Sequence, residues 1–365
     1  MDGMKLSQFP VGDCGGLFYF MAKKKTLIFI VLCIVMVLMT FVCLFVGSSH
    51  MSISECISAL FGKGSQANVR IMQNIRVPRI IAAIVAGAGL SLSGLIMQTN
   101  LNNYMASPST LGITNAAVFG ANISIIAFAG GFLSTGNNLS SYMAGTNPYA
   151  TSAVAFIFSI LSVLLILGLC RIRSFSPGVL VLSGIAIGSI WTAATTILQF
   201  YATDVGLSAA VIWSFGDLGR ATYETDFLMI AVLVAGLIFF MLMGQKYNAM
   251  LSGDETATSL GINVKTLRLV SLLIASLFIA VSVSFLGMIG FVGIICPHIA
   301  KKLFGQNHRI SIPTSALTGS ILLLCADSVS RTIGNGSALP VGAITSLLGA
   351  PFFVALILSR RGKHA

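Results

Sequence analysis

Charged side chains are scarce in this sequence of 365 residues. They make up 8% of the chain, whereas soluble domains average about 25%. Apolar residues supply 56% of it, and three long blocks contain no charged side chain: Ile80 to Cys170, Leu269 to Ala300 and Thr332 to Ser359. Each block exceeds the roughly 20 apolar residues that cross a bilayer. The composition therefore predicts an all-α, polytopic membrane protein.

Catalytic and metal-binding patterns are absent as well. The sequence has no glycine-rich phosphate loop followed by Lys and Ser or Thr, its four histidines are scattered, and no pair of carboxylates lies in an apolar run. We therefore expect no catalytic residue, no metal and no cofactor on this chain, and no nucleotide hydrolysis by it. The seven cysteines lack metal-site spacing and a disulfide framework, so we interpret them as small residues facing lipid or core.

The net charge of +11 could suggest nucleic acid as a partner, but that function requires a basic patch on a folded surface. Topology accounts for the charge instead. With the N-terminus inside, inner segments collect fifteen of the twenty-one basic residues. This asymmetry fits the positive-inside rule and places both termini in the cytoplasm. The sequence thus predicts a multi-pass protein of the cell (plasma or inner) membrane. We expect it to contact membrane lipid and not to bind nucleic acid.

About ten crossings account for the hydropathy. They lie near residues 27–46, 80–98, 110–131, 150–170, 178–201, 227–245, 267–287, 289–303, 314–333 and 341–358. One helix over 267–303 would be too long for the bilayer core, so the glycines and Pro297 predict a break near 287–297. We expect residues 1–25 to form a cytoplasmic tail and 26–360 a single transmembrane domain, since the first apolar run is too long for a signal peptide.

One polar segment, Gly253 to Arg268, still has helix signals. Asp254 and Glu255 suit a helix N-terminus, and Gly261 suits the position just after a helix end. These signals predict a helix of about two turns, which needs a partner because so short a helix is marginal alone. The charge asymmetry places the loop 246–268 in the cytoplasm.

Asp327 is the only acidic side chain inside a predicted crossing. An ionisable residue in the membrane is a functional candidate by default. However, Arg331 lies four residues later on the same helix face and can neutralise it. We favour a structural pair.

Several motifs in order resemble those of the FecCD-type permeases, the membrane subunits of ATP-binding-cassette importers for iron-siderophores, haem and cobalamin. The resemblance covers roughly residues 70–360. Its motifs are Arg76-Val77-Pro78-Arg79, Gly94-Leu95-Ile96-Met97-Gln98, Ala106-Ser107-Pro108, Leu111-Gly112, Gly253 to Gly261, Gly290-Phe291-Val292-Gly293, Pro297-His298-Ile299-Ala300, Ala326-Asp327 with Arg331, Leu339-Pro340-Val341-Gly342 and Gly349-Ala350-Pro351-Phe352-Phe353.

The resemblance implies a ten-helix subunit that pairs with a second permease, either a copy of itself or a paralogue. Two ATPase subunits, which bind ATP and Mg, would lie below this pair, and an extracytoplasmic substrate-binding protein above it. In the family, the loop between the sixth and seventh crossings contacts the ATPase. The positions that match here are Asp254, Glu255, Ala257, Leu260 and Gly261.

The family also docks its binding protein through basic residues of the permease, which match Arg76, Arg79 and Arg331 here. These arginines are exceptions to the positive-inside tendency, which independently suggests a role. Snorkelling or phospholipid contact is the structural alternative. By the same resemblance, residues near the translocation path would include Gln98, Asn100, Asn103, Gln199 and Thr203.

Two other function classes remain open at this level. An ion-coupled secondary transporter would be expected to carry buried charges and inverted repeats, and the shortage of charge in the apolar runs argues against it. An intramembrane enzyme would need catalytic groups that we do not find. Among importer substrates, ferric siderophore is our first expectation, followed by haem and then cobalamin.

Overall fold

The computed structural model describes residues 14–47, 51–128, 147–173, 176–333 and 339–360. Every regular element in these ranges is helical, which confirms the all-α prediction. The first seven α-helices are α1 (Cys14–Phe45), α2 (Ile53–Leu60), α3 (Gln66–Ile71), α4 (Val77–Asn100), α5 (Ile113–Asn122), α6 (Pro148–Arg173) and α7 (Pro177–Phe200). The next seven are α8 (Asp204–Ser214), α9 (Tyr223–Met250), α10 (Asp254–Ser259), α11 (Val264–Leu286), α12 (Val292–Phe304), α13 (His308–Ile333) and α14 (Val341–Arg360).

Seven helices in the described ranges are long and apolar enough to cross a membrane. They belong to α1, the continuous helix Gln66–Asn100 that includes α4, and α6, α7, α9, α11 and α13. The other three predicted crossings coincide with shorter helices: α5 with its π-helical extension to Phe128, α12, and α14. The prediction of about ten crossings therefore holds approximately and in the predicted order.

The predicted N-terminal tail is described only in part. Residues 1–13 lie outside the described ranges, and from Cys14 onward the backbone is helical and continues unbroken into the first predicted crossing. Only 6% of the most apolar part of α1 is buried against the rest of the chain. Large side chains such as Ile34 and Leu38 are exposed. This helix therefore presents apolar surface outward over most of its length.

The core is built around α4, which is buried along almost its entire length. Small residues let neighbouring helices approach its backbone, as the sequence predicts. A Cβ atom placed on Gly94 would lie 1.8 Å from Gly293 O of α12, and one on Gly87 would lie 2.4 Å from Gly319 O of α13. Such distances are far below van der Waals contact. Glycine at these positions is therefore required by packing.

The predicted break near 287–297 is found at 287–291, between α11 and α12. Gly287 and Phe291 have positive φ angles of 76° and 64°, so the helix cannot continue through them. Pro297, in contrast, lies inside α12 and does not form the break. Proline removes the N–H that would bond the carbonyl four residues earlier. Gln98 Nε2 replaces it by donating to Gly293 O at 3.3 Å.

Candidate functional site

The predicted cytoplasmic helix is α10, and its ends are defined as the sequence suggests. Gly253 enters it with a φ of 106°, and Gly261 leaves it with a φ of 80°. At the exit, Ile262 N donates to Ala257 O at 3.1 Å and Gly261 N donates to Thr258 O at 2.9 Å. This pair of bonds is a Schellman motif, which satisfies the last carbonyl groups of the helix. With 6 residues, the helix is shorter than the two turns predicted.

A salt bridge attaches α10 to the core. Arg268 Nη2 lies 2.9 and 3.0 Å from the two oxygens of the Asp254 carboxylate. Arg268 is itself buried in α11, and Ala257 is fully buried. Leu260, on the contrary, is 67% exposed. The helix is therefore attached to the core on one side and displays a large apolar side chain on the other.

The three predicted docking arginines form one buried cluster. Arg79 Nε contacts Asp327 Oδ1 at 2.6 Å, and Arg331 Nη2 contacts Asp327 Oδ2 at 2.9 Å. The structural pair predicted for Asp327 is therefore present, with Arg79 as a further partner. Asp217 adds a longer contact of 3.6 Å to Arg79. Arg76 is buried beside them, at 4% exposure.

Arg76 and Arg331 also hold the end of α1. Arg76 Nη1 donates to Leu44 O at 2.7 Å, and Arg331 Nη1 donates to Cys43 O at 3.0 Å and to Val46 O at 2.7 Å. Cations are favourable at a helix C-terminus, where carbonyl groups lack helical partners. In this conformation the arginines are engaged within the chain. Their docking role stays a prediction.

Sequence reasoning missed the buried carboxylate of Asp226. It lies in the first turn of α9, one residue before the predicted crossing at 227–245, and is 2% exposed. Neither of its oxygens has a hydrogen-bond partner among the described residues. The nearby hydropathy could have indicated its burial, since an uninterrupted apolar run follows it.

The predicted path residues do not gather in one place. Gln98 lies at the end of α4, where its side-chain amide donates hydrogen bonds to the carbonyl oxygens of Gly293 and Ile294 in α12. Asn100 is fully buried and donates from Nδ2 to Ile96 O at 2.8 Å, while Asn103 is exposed and accepts from Met105 N at 2.9 Å. The first three candidates thus lie in one polar segment, residues 98–109, which begins in the last turn of α4 and which we call the polar turn, but they have different environments.

The other two path candidates lie at the far end of α7. Gln199 Nε2 donates to Asn122 Oδ1 at 2.9 Å, and Thr203 caps α8 by accepting from Gly206 N at 3.3 Å. These contacts are structural, and a path role for either residue stays a prediction.

Between these two groups, a groove of about 460 Å³ runs along α7. Its polar lining includes Ser189 and Thr192 of α7, Asn115 of α5 and Ser109 of the polar turn. The regular spacing of Gly184, Gly188 and Thr192 on one helix face could have signalled this surface. The groove joins the polar turn to the fifth crossing, the two segments that the resemblance associates with the path.

A polar network connects the loop-bearing end of α9 to the core. Asn248 Oδ1 contacts His308 Nδ1 at 3.0 Å and accepts from His308 N at 2.8 Å. His308 Nε2 contacts Thr99 Oγ1 of α4 at 2.7 Å. Through Asn248 Nδ2, which donates to Asn307 Oδ1 at 3.0 Å, the network also reaches the turn between α12 and α13.

The same end of the bundle contains a link between α12 and the exposed polar turn. Lys301 Nζ donates to Gln98 Oε1 at 3.1 Å and lies 5.2 Å above the ring of Tyr104. Gln306 Nε2 donates to Tyr104 Oη at 3.3 Å. Two segments that are distant in sequence, 98–104 and 301–306, therefore meet close to Asn103.

Comparison with known proteins agrees with this architecture. The model of the FecCD transport family matches residues 33–359. A relative from Methanocaldococcus jannaschii, named as a putative ABC transporter permease protein, is 44% identical over 92% of this chain and 95% of its own. The hemin transport system permease protein HmuU of Yersinia pestis is 34% identical over 90% of this chain and 96% of its own.

Two further matches complete the comparison. The iron(3+)-hydroxamate import system permease protein FhuG of Bacillus subtilis is 31% identical over 92% of this chain and 98% of its own. A solved structure, described as an inward-facing conformation of a putative metal-chelate type ABC transporter, superposes with a TM-score of 0.76, at 24% identity over 92% of this chain and 99% of that one. At that identity the superposition supports the fold.

Proposed function

The chain belongs to the FecCD transport family, and from this we propose that it is the permease subunit of an ATP-binding-cassette importer for a ferric siderophore. It is a multi-pass membrane protein that serves transport and not catalysis. The observation that carries the coupling mechanism is α10, a short helix with one anchored face and one exposed face.

In this proposal, α10 seats in a groove of an ATPase subunit. Leu260 supplies the apolar contact, and Asp254, Glu255, Ala257 and Gly261 give the helix its shape and attachment. A short amphipathic helix in a groove is a common mode of recognition. Because Arg268 fixes α10 to α11, movement of the ATPase would shift the membrane helices as rigid bodies.

The network at Asn248 provides a second route for this movement. Asn248 lies on α9 only a few residues before α10, and it contacts His308, which contacts Thr99 of α4. Displacement of the loop would therefore reach both α13 and the polar turn, which begins in the last turn of α4. Gln98, Asn100 and Asn103 belong to that turn and are the proposed inner path residues, with Gln199 and Thr203 toward the other end.

The remaining partners follow from the same proposal. Two ATPase subunits carry ATP and Mg on the cytoplasmic side, where both termini of this chain lie. A second permease, identical or paralogous, completes the membrane part, and a substrate-binding protein delivers cargo on the outer side. Arg76, Arg79 and Arg331 would contact that protein only after leaving the buried cluster that they form here.

The substrate proposal draws on the relatives. One of them is named for iron(3+)-hydroxamate and another for hemin. Ferric siderophore is our first choice, and haem and cobalamin are the alternatives. Titration of the cognate binding protein with a ferric hydroxamate, hemin and cobalamin tests it. Retention of hemin or cobalamin instead of the ferric siderophore would overturn the substrate but leave the importer mechanism standing.

The transport mechanism has its own experiment. We expect vesicles that contain the permease and its ATPase, with binding protein added, to take up cargo when ATP is supplied and no ion gradient exists. Uptake that follows an ion gradient and ignores ATP would instead favour a secondary transporter.

A further inference from the structure

Helix α2 has one apolar face that packs against the chain. Its start is fixed by a capping box, in which Glu55 Oε2 accepts from Ser52 N at 2.8 Å and Ser52 Oγ accepts from Glu55 N at 3.3 Å. Cys56 and Ala59 are buried, at 2% and 0% exposure. The cap and the buried face together set the rotation of the helix about its axis.

A second apolar face of α2 is exposed. Ile53, Ile57, Leu60 and Phe61 are 64%, 49%, 38% and 73% exposed, and their spacing places them along one side. Exposed apolar strips of this kind mark interaction surfaces. We propose that this strip lies in the lipid–water interface, so that α2 is an amphipathic helix resting in the membrane surface.

The position of α2 along the molecule supports a lipid contact. Arg76 Nη1 donates to Leu44 O and Phe45 O at the end of α1 and to Cys56 Sγ of α2, at 2.7, 3.4 and 3.6 Å. One guanidinium group therefore ties the end of a membrane-crossing helix, the start of the α4 crossing and α2 to the same level. That level is where the apolar part of α1 ends.

The exposed strip is also continuous in sequence with lipid-facing surface. Phe41 and Val42, in the last turns of α1, are 53% and 43% exposed. Residues 46–52 connect them to α2, and a linker of this length reaches at most about 25 Å. The membrane that surrounds α1 is therefore within reach of α2.

The polar groups of this region have the arrangement of an interfacial helix. Glu55 and Ser58 are exposed on the side away from the strip. Hydrogen bonds from the backbone and the hydroxyl of Ser52 hold the pKa of Glu55 below its usual value, so this side chain is charged and suits water. Lys63 and Arg70 follow α2 as exposed cations, which suit lipid phosphates.

A soluble protein is a less suitable occupant. The strip consists of Ile53, Ile57, Leu60 and Phe61 and offers no charged or hydrogen-bonding side chain for specific recognition. Lipid acyl chains, in contrast, can cover the strip without any charged or hydrogen-bonding side chain. The inference does not depend on which cargo the protein transports.

Tryptophan fluorescence tests the proposal on full-length protein in phosphatidylcholine–phosphatidylglycerol vesicles. Ile57→Trp and its neighbour Ser58→Trp form a matched pair, and the signal of the native Trp191 and Trp213 is subtracted using the parent protein. We expect brominated lipid to quench Ile57→Trp more than Ser58→Trp, and iodide on both sides of the bilayer to quench Ser58→Trp more than Ile57→Trp.

A second variant keeps the test independent of folding defects. Phe61→Trp exchanges one exposed aromatic ring for another, and we expect it to behave as Ile57→Trp does. Iodide quenching of both strip variants equal to that of Ser58→Trp would overturn the proposal. So would protection from iodide that develops only after a binding protein or a second permease is added, since the strip would then be a protein interface.

Discussion

At the scale of single residues, Asp327 organises the end of the bundle at which α1 ends. It is fully buried and is neutralised by two arginines from different helices, α4 and α13. Buried ion pairs contribute little net stability, but removal of one partner leaves an uncompensated charge. The pair that the sequence indicated is thus part of a larger cluster, to which Arg76 contributes by binding the end of α1.

The first prediction concerns Arg79. Arg79→Met removes a buried charged hydrogen bond but leaves Arg331 on Asp327, and we expect the free energy of unfolding to fall by about 1.5–3 kcal/mol. Thermal unfolding in detergent measures the change, with the exposed Arg70→Met as the control. A pure docking residue would behave differently: the melting temperature would be unchanged, while affinity for the binding protein would fall and lose its salt dependence.

The second prediction concerns Asp226. Its buried carboxyl group has no hydrogen-bond partner among the described residues, and burial of an unpaired carboxyl group costs free energy whether it is ionised or binds a proton. We expect Asp226→Asn to raise stability by about 1 kcal/mol or more and to retain ATP-driven uptake. The exposed Glu224→Gln is the control. Loss of uptake in Asp226→Asn alone would indicate that this carboxylate carries a proton or a cation.

At the scale of helices, contact between α4 and α12 limits what can replace glycine. Gly94→Ala would place a methyl group 1.8 Å from Gly293 O, so the two helices must separate. We expect a loss of about 1–3 kcal/mol in unfolding free energy. Gly168→Ala is the matched control, because a Cβ there meets nothing within 4 Å. Equal melting temperatures for the two variants would contradict the proposed close contact.

The network at Asn248 gives a prediction on coupling. Asn248→Ala breaks the contacts to His308 and Asn307, and we expect cargo transported per ATP hydrolysed to fall while ATPase binding persists. Ser159→Ala is the control, since it removes a buried hydrogen bond of similar size, from Ser159 Oγ to Ala155 O at 2.9 Å within α6, away from the network. If the amount of cargo transported per ATP hydrolysed fell equally in both variants, the effect would be general destabilisation and not a specific loss of coupling through Asn248.

The helices and their order were largely predictable from the sequence, because a run of about 20 apolar residues is the length that a helix needs to cross a bilayer. The ends of α10 were predictable because each depends on a residue at that end: Asp254 in the first turn, and Gly261 with a positive φ angle just after the last turn. The Asn248–His308 contact and the Arg79–Asp327 pair were not, since they join residues 60 and 248 positions apart and leave no local pattern. The prediction that Pro297 contributes to the helix break was wrong. Gln98, from α4, donates to Gly293 O and so replaces the backbone hydrogen bond that proline cannot form.

At the scale of the whole molecule, polar structure is concentrated at the two ends of an apolar bundle. One end contains the arginine cluster and α2. The other contains α10, the Asn248 network and the exposed polar turn that includes Asn103. This division matches a permease that receives cargo on one side of the membrane and is driven from the other, in agreement with our proposal that α10 makes the mechanical contact.

The most direct test of this account is co-purification of the ATPase with a permease that carries Leu260→Arg. Leu260 is 67% exposed, so the change should leave folding and membrane insertion intact while placing a charge in the proposed apolar contact. The control is Ala67→Arg, an exposed position on the opposite side in our topology. We predict that Leu260→Arg loses the ATPase and ATP-driven uptake while Ala67→Arg keeps both. Retention of both by Leu260→Arg would contradict the coupling role of α10.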